Sequence, residues 1–155
     1  MNVRRLAILA LAASAVAIPT ASAAVFTGTP ANNAINGTPV ADLMLGFAGD
    51  DTLWGHDGPD RLHGHRGNDT LDGGFGNDVL HGNAGNDILR GGSDNDRLWA
   101  GYGTDQLYGG DGDDVLRAMR RDGDPDTLDC GPGRDVAFAR PIDTTVACEV
   151  VHIIP

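Results

Sequence analysis

Lysine is absent from the 155-residue sequence, and glutamate occurs once, at Glu149. Its 11 Lys+Arg are thus all arginine, and the acidic class of 22 residues is almost pure aspartate. The resulting net charge of −11 gives a field that repels phosphates, which makes the chain a poor partner for nucleic acid or anionic membrane. Aromatics make up only 5% of the chain, and Gly numbers 23, a composition unlike that of an ordinary globular domain. Neither H-E-x-x-H nor G-x-S-x-G occurs, so the common zinc-protease and serine-hydrolase motifs are missing. Beyond the N-terminal stretch, no apolar run approaches the roughly 20 residues of a membrane span.

That N-terminal stretch has its own grammar. Arg4 and Arg5 precede an apolar run from Leu6 to Ile18, and Ala21-Ser22-Ala23 supplies small residues for cleavage. The run is short for a spanning helix, so residues 1–23 read as a secretory signal peptide cut between Ala23 and Ala24. Removal leaves 155 − 23 = 132 residues and shifts the net charge to 9 − 22 = −13. The product is expected to be secreted, extracellular and built as one domain.

From Gly28 to Arg117 the sequence falls into ten nine-residue blocks with no insertion. They begin GTPANNAIN, GTPVADLML, GFAGDDTLW and end AGYGTDQLY, GGDGDDVLR. The first position is Gly except at Ala100, and the sixth is Asp except at Asn33. The eighth is always apolar, from Ile35 through Leu116. Gly, Asn and Asp at positions one to six suit left-handed turn conformations. Positions seven to nine are expected to form a three-residue strand with only position eight pointing inward. Two blocks then make one circuit of a flattened coil, so residues 18 apart stack at about 4.8 Å. Ten blocks give about five circuits, or roughly 24 Å of parallel, all-β solenoid.

One apolar side chain per block makes a thin core, and the sixth-position carboxylates line up along each edge, repelling one another. A cation between them answers both problems. Oxygen donors from Asp and from Gly-rich turns match the six to eight oxygens around Ca²⁺. Mg²⁺ demands a stricter octahedron, and Zn²⁺ prefers closely spaced His or Cys.

Blocks such as GGFGNDVLH (73–81), GNAGNDILR (82–90) and GGDGDDVLR (109–117) resemble the repeats-in-toxin (RTX) nonapeptide GGxGxDxUx, with U apolar. The resemblance implies a parallel β-roll that holds several Ca²⁺ ions between successive turns. It assigns the metal-ligand role to Asp42, Asp51, Asp60, Asp69, Asp78, Asp87, Asp96, Asp105 and Asp114. Turn support falls to first-position Gly46, Gly55, Gly64, Gly73, Gly82, Gly91 and Gly109. The fourth-position Gly49, Gly58, Gly67, Gly76, Gly85, Gly103 and Gly112 share that role. The two opening blocks lack the fourth Gly, and read as a metal-poor starting cap. Residues 24–117 form the expected roll, and 118–155 a degenerate repeat with a C-terminal cap that lids the last circuit.

In an exported chain, Cys130 and Cys148 most simply form one disulfide, with reactive free thiols as the rival reading. His63 and His81 share position nine and should neighbour each other on an outer face, followed by Trp99 in the same row. Trp54 and Tyr108 belong to the opposite sheet. A surface metal site on the histidines, or sugar or protein contacts by the aromatics, are the sharper readings; solvated packing across strands is the simpler one. His56 and His65 are expected in turns. About 38 residues follow the blocks, too few for a catalytic domain, so no enzyme is expected. Two rival readings are a calcium-stiffened structural or adhesion module for a surface, glycan or protein, and, more remotely, a secreted hydrolase.

Overall fold

The computed structural model describes residues 23–118 and 122–154. The expected leader lies outside the described residues, apart from Ala23. In chain order the strands are β1 (Ala24–Thr27), β2 (Ala34–Asn36), β3 (Asp42–Ala48), β4 (Thr52–Asp57) and β5 (Arg61–Arg66). Then come β6 (Thr70–Phe75), β7 (Val79–Ala84), β8 (Ile88–Ser93), β9 (Arg97–Tyr102) and β10 (Gln106–Asp111). The last five are β11 (Val115–Arg117), β12 (Thr127–Asp129), β13 (Val136–Ala139), β14 (Thr144–Val146) and β15 (Val150–Ile153). Odd-numbered strands form one eight-stranded sheet and even-numbered strands a seven-stranded one, every pairing parallel. This is a β-roll of two nonapeptides per circuit, with no helix among the described residues.

Register follows the repeat. Leu62 pairs with Leu80 and Leu80 with Leu98 in the odd sheet, while Leu53, Leu71, Leu89 and Leu107 align in the even one. These side chains, with Met44, Leu116 and Leu128, are fully buried and form a single core between the sheets. Each contributes about 2 kcal/mol by leaving water, and in the middle circuits the stacking sets leucine on leucine.

Strands β4 to β10 are six residues long, not three. The backbone bends at position two, where Phe47, His56, His65 and Asn83 have φ between 79° and 83°, yet pairing resumes beyond it. Phe47 still pairs with His65 and Ala48 with Arg66. Positions one to three thus join the strand as its second leg, and His56 and His65 sit in strands, not turns. The true turn is positions four to six, where Gly85 at φ 135° lies so close to the Gly67 carbonyl that a Cβ would collide with it.

The tail adds the last strands to both sheets. After Arg117, three extra residues shift the pairing from 18 to 21, so Leu107 faces Leu128 and Leu116 faces Ala137. The roll continues through β12 to β15 with shorter rungs, Leu128 facing Thr145 and Ala137 facing Val151. Cys130 and Cys148 are disulfide-bonded across a sequence separation of 18. A loop of that length contributes about 3 kcal/mol in the chain-entropy model. At the head, β1 adds a strand before the first recognised block, with Phe26 against Met44.

Candidate metal centre

The sixth-position aspartates stand in two rows, one on each edge of the roll. In each row a carboxylate Oδ1 accepts the backbone N–H of the residue one circuit earlier. Asp42, Asp60, Asp78 and Asp96 donate in turn to Asp60, Asp78, Asp96 and Asp114 at 2.7–2.8 Å. On the other edge Asp51, Asp69 and Asp87 donate to Asp69, Asp87 and Asp105 at 2.7–2.8 Å. Ala24 N–H heads the first row, reaching Asp42 Oδ1 at 3.0 Å. The carboxylates thereby act as splints between circuits.

Their second oxygens behave differently. Oδ2 of Asp51, Asp60, Asp69, Asp78, Asp87, Asp96, Asp105, Asp114 and Asp135 is buried with no hydrogen-bond partner. A buried carboxylate oxygen without a donor is costly, and nine of them in register call for a shared counter-charge. Burial, partly offset by the amide each accepts and reinforced by neighbouring aspartates, pushes several of these groups far above the usual carboxylate range. Asp60, Asp78 and Asp105 rise to about 7, and Asp87 and Asp96 to about 8.

First-position glycines hold the space beside these oxygens. At Gly73 a Cβ would press on Asp78 Oδ2 and lie 2.6 Å from the Gly91 carbonyl oxygen. At Gly46 it would meet Asp51 Oδ2 and the Gly64 carbonyl, 2.8 Å away. These glycines are in strands and are not left-handed; they leave a cradle open between a carboxylate and a carbonyl of the next circuit. Among the described residues no three His, Cys, Asp or Glu side chains converge on one point. The cradle is bordered by carboxylate and backbone carbonyl oxygens, hard donors of the kind calcium takes.

Both heads of the rows, and the far end of the row that starts at Asp51, carry protein groups in the place of a cation. Asp42 Oδ2 accepts the Thr38 N–H at 2.6 Å and the Thr38 hydroxyl at 2.9 Å, so it is not orphaned. Thr29 makes the same local bonds to Asn33. At the far end Arg140, 8% exposed, sits among Asp122 (3.0 Å), Asp143 (3.2 Å) and Asp126 (3.5 Å). It also donates to the Asp124 carbonyl. Burial opposes its charge, but Asp143, Asp122 and Asp126 outweigh that and raise its pKa. The guanidinium lies where the row would otherwise bring Asp126 and Asp143 together.

Asp126, Asp135, Asp143 and Glu149 extend the two rows beyond Asp114, accepting amides of Asp105, Asp114, Asp126 and Asp135. Asp126 and Asp135 echo the sixth position in the degenerate repeat, while Asp143 and Glu149 fall outside any nine-residue period. A parallel row at position five also escaped notice: Asn68 and Asn86 side chains accept the amides of Asn86 and Thr104 at 2.8 and 2.9 Å. His63 and His81 stack at 4.7 Å between ring centroids and His81 on Trp99 at 4.5 Å, forming a row on the odd sheet with no metal-like cluster.

Buried, donor-starved carboxylates repeated along both edges of a parallel roll define a calcium-binding repeat solenoid. A family model, the RTX calcium-binding nonapeptide repeat, matches residues 27–62, 45–80 and 81–116. Together these matches span 27–116, well over half of the chain, and the protein belongs to this family. Proteins with these repeats are typically secreted, and the repeat solenoid is generally structural. Comparison with curated proteins finds no match.

Proposed function

We propose that the protein is an exported, non-enzymatic calcium-binding protein whose roll folds around several Ca²⁺ ions, with its leader cut after Ala23. The row of buried Oδ2 atoms lacking any donor carries this reading. Adjacent orphaned pairs number four on one edge (Asp60–Asp78, Asp78–Asp96, Asp96–Asp114, Asp114–Asp135) and three on the other (Asp51–Asp69, Asp69–Asp87, Asp87–Asp105), seven in all. Asp42 belongs to the threonine-capped head and is a weaker ligand than the others. When bound, calcium supplies the positive charge that lets the carboxylates stay ionised inside the fold. The chain's own share is to place the carboxylates, keep the first-position cradle open and splint each circuit through Oδ1.

Each inner carboxylate serves the circuits on both sides. Asp78→Ala is therefore expected to remove two neighbouring calcium sites at once, measured as stoichiometry by calorimetric titration. The same stoichiometry and midpoint as the parent would end the shared-ligand model. A second reading, a calcium-stiffened adhesion module, gains support from the uneven distribution of charge between the two sheets.

A further inference from the structure

The strands of the odd-numbered sheet contain one carboxylate, Asp42, and it is buried in the edge row. Their other charged residues are Arg61, Arg66, Arg97 and Arg117, joined by His63, His65, His81 and His152. The even-numbered sheet carries Asp57, Asp72, Asp111 and Asp129 against Arg90 alone. In a chain of net charge −11, an outer face bare of acid is a departure that the repeat does not require. Arg61, Arg66 and Arg97 are exposed and take part in no ion pair among the described residues.

The aromatic row adds to the same field. His63, His81 and Trp99 are stacked along the roll, with interplanar angles of 1° and 12°, so they cover one another's faces and turn their edges outward. Ring edges are the positive part of the aromatic quadrupole. Beside them a shallow groove runs between Phe47 and Tyr102, past His65, Arg66 and Asn83. His65 Nε2 is buried beneath that groove and takes no part in its open face.

We propose that the outer face of this sheet, from Arg61 to Trp99, binds an acidic polysaccharide built of carboxylated sugars. Charge complementarity selects an anion, and the dilution of charge selects which polymer. Three unpaired guanidinium groups stand among neutral hydrogen-bonding groups, flanked by aspartate-rich edges. A nucleic acid, with one phosphate per about 1.7 Å, meets more repulsion from those edges than attraction from the face. A polymer with one carboxylate and several hydroxyls per ring suits widely spaced arginines and the ring edges and amide between them. Arg61 and Arg97 are two strands apart, about 9.6 Å, so the two cations can meet alternate carboxylates of an extended chain. An acidic peptide would seek an open strand edge or side-chain pockets, which this face lacks.

The inference rests on the calcium-loaded roll as the working state. The test is calorimetric titration of the calcium-loaded chain with a short oligogalacturonate, its methyl ester and polyglutamate. Circular dichroism first establishes that each variant carries the calcium-dependent fold. Binding of the oligogalacturonate alone is expected, weakened at least tenfold in Arg61→Ser/Arg97→Ser and unchanged in Arg90→Ser on the opposite sheet. Equal binding of the double variant, equal binding of polyglutamate, or no binding by a correctly folded parent would overturn the proposal. A parent that fails to fold with calcium would instead overturn the reading beneath it.

Discussion

Stripped of calcium at about pH 8, residues 24–155 are expected to lose their β-type circular dichroism, and to regain it near pH 4 with no metal added. The sign follows from the edge carboxylates. Their pKa values in the fold, about 7 for Asp60 and Asp78 and about 8 for Asp87 and Asp96, lie above the value of 3.8 for an unfolded aspartate. Between those limits the folded chain holds more protons than the unfolded one. Protonation therefore stabilises the metal-free roll fully below about pH 4, and that stability is lost as pH rises through 6 to 8. A proton on Oδ2 removes the charge that burial penalises, as a calcium ion compensates it. The two compete: calcium binding should release protons, and its midpoint should move to higher calcium as pH falls. A chelated chain that stays folded at pH 8 would show that the orphaned oxygens do not limit the fold.

The second large effect is expected at Arg140. Arg140→Ala leaves Asp122, Asp126 and Asp143 facing one another in a buried pocket without their cation. Breaking a buried ion pair from one side costs about 3–5 kcal/mol. For a domain of this size that corresponds to a drop in melting temperature of roughly 10 °C. The deficit should shrink as calcium rises, because the vacated pocket then resembles the inner sites. A variant that melts with the parent at low calcium would remove Arg140 from its role as a resident cation.

Arg140 also marks the boundary of what the sequence discloses. The leucine core and the two aspartate rows were legible because both obey a strict period, and period is what a parallel coil converts into stacking. The six-residue strands were not, because nothing in Phe47 or His56 announces that a left-handed residue can bend a strand without ending its pairing. Asp42 matches the ligand pattern in sequence, yet Thr38 satisfies it, since a hydroxyl four residues earlier reaches the same oxygen. The first-position glycines were expected to make turns; their shared property is a missing side chain where a carboxylate and a carbonyl converge. Asp126 and Asp135 lie one insertion out of frame. Arg140 belongs to no repeat, and only the folded chain brings it to the end of a row.

The amide at the head of the first row has a consequence for maturation. Ala24 N lies 3.0 Å from Asp42 Oδ1, and Ala24 is the residue that the proposed cleavage would make the new N-terminus. Proteolysis there converts a neutral peptide nitrogen into an ammonium group, so the cut itself creates a cation at the head of the row that Arg140 does not serve. The precursor and the finished protein would then differ in electrostatics as well as in length. A chain starting at Ala24 is expected to melt higher than one extended by two residues, with the gap closing when Asp42→Asn is added to both. An equal gap in the Asn background would assign the difference to the extension and not to the charge.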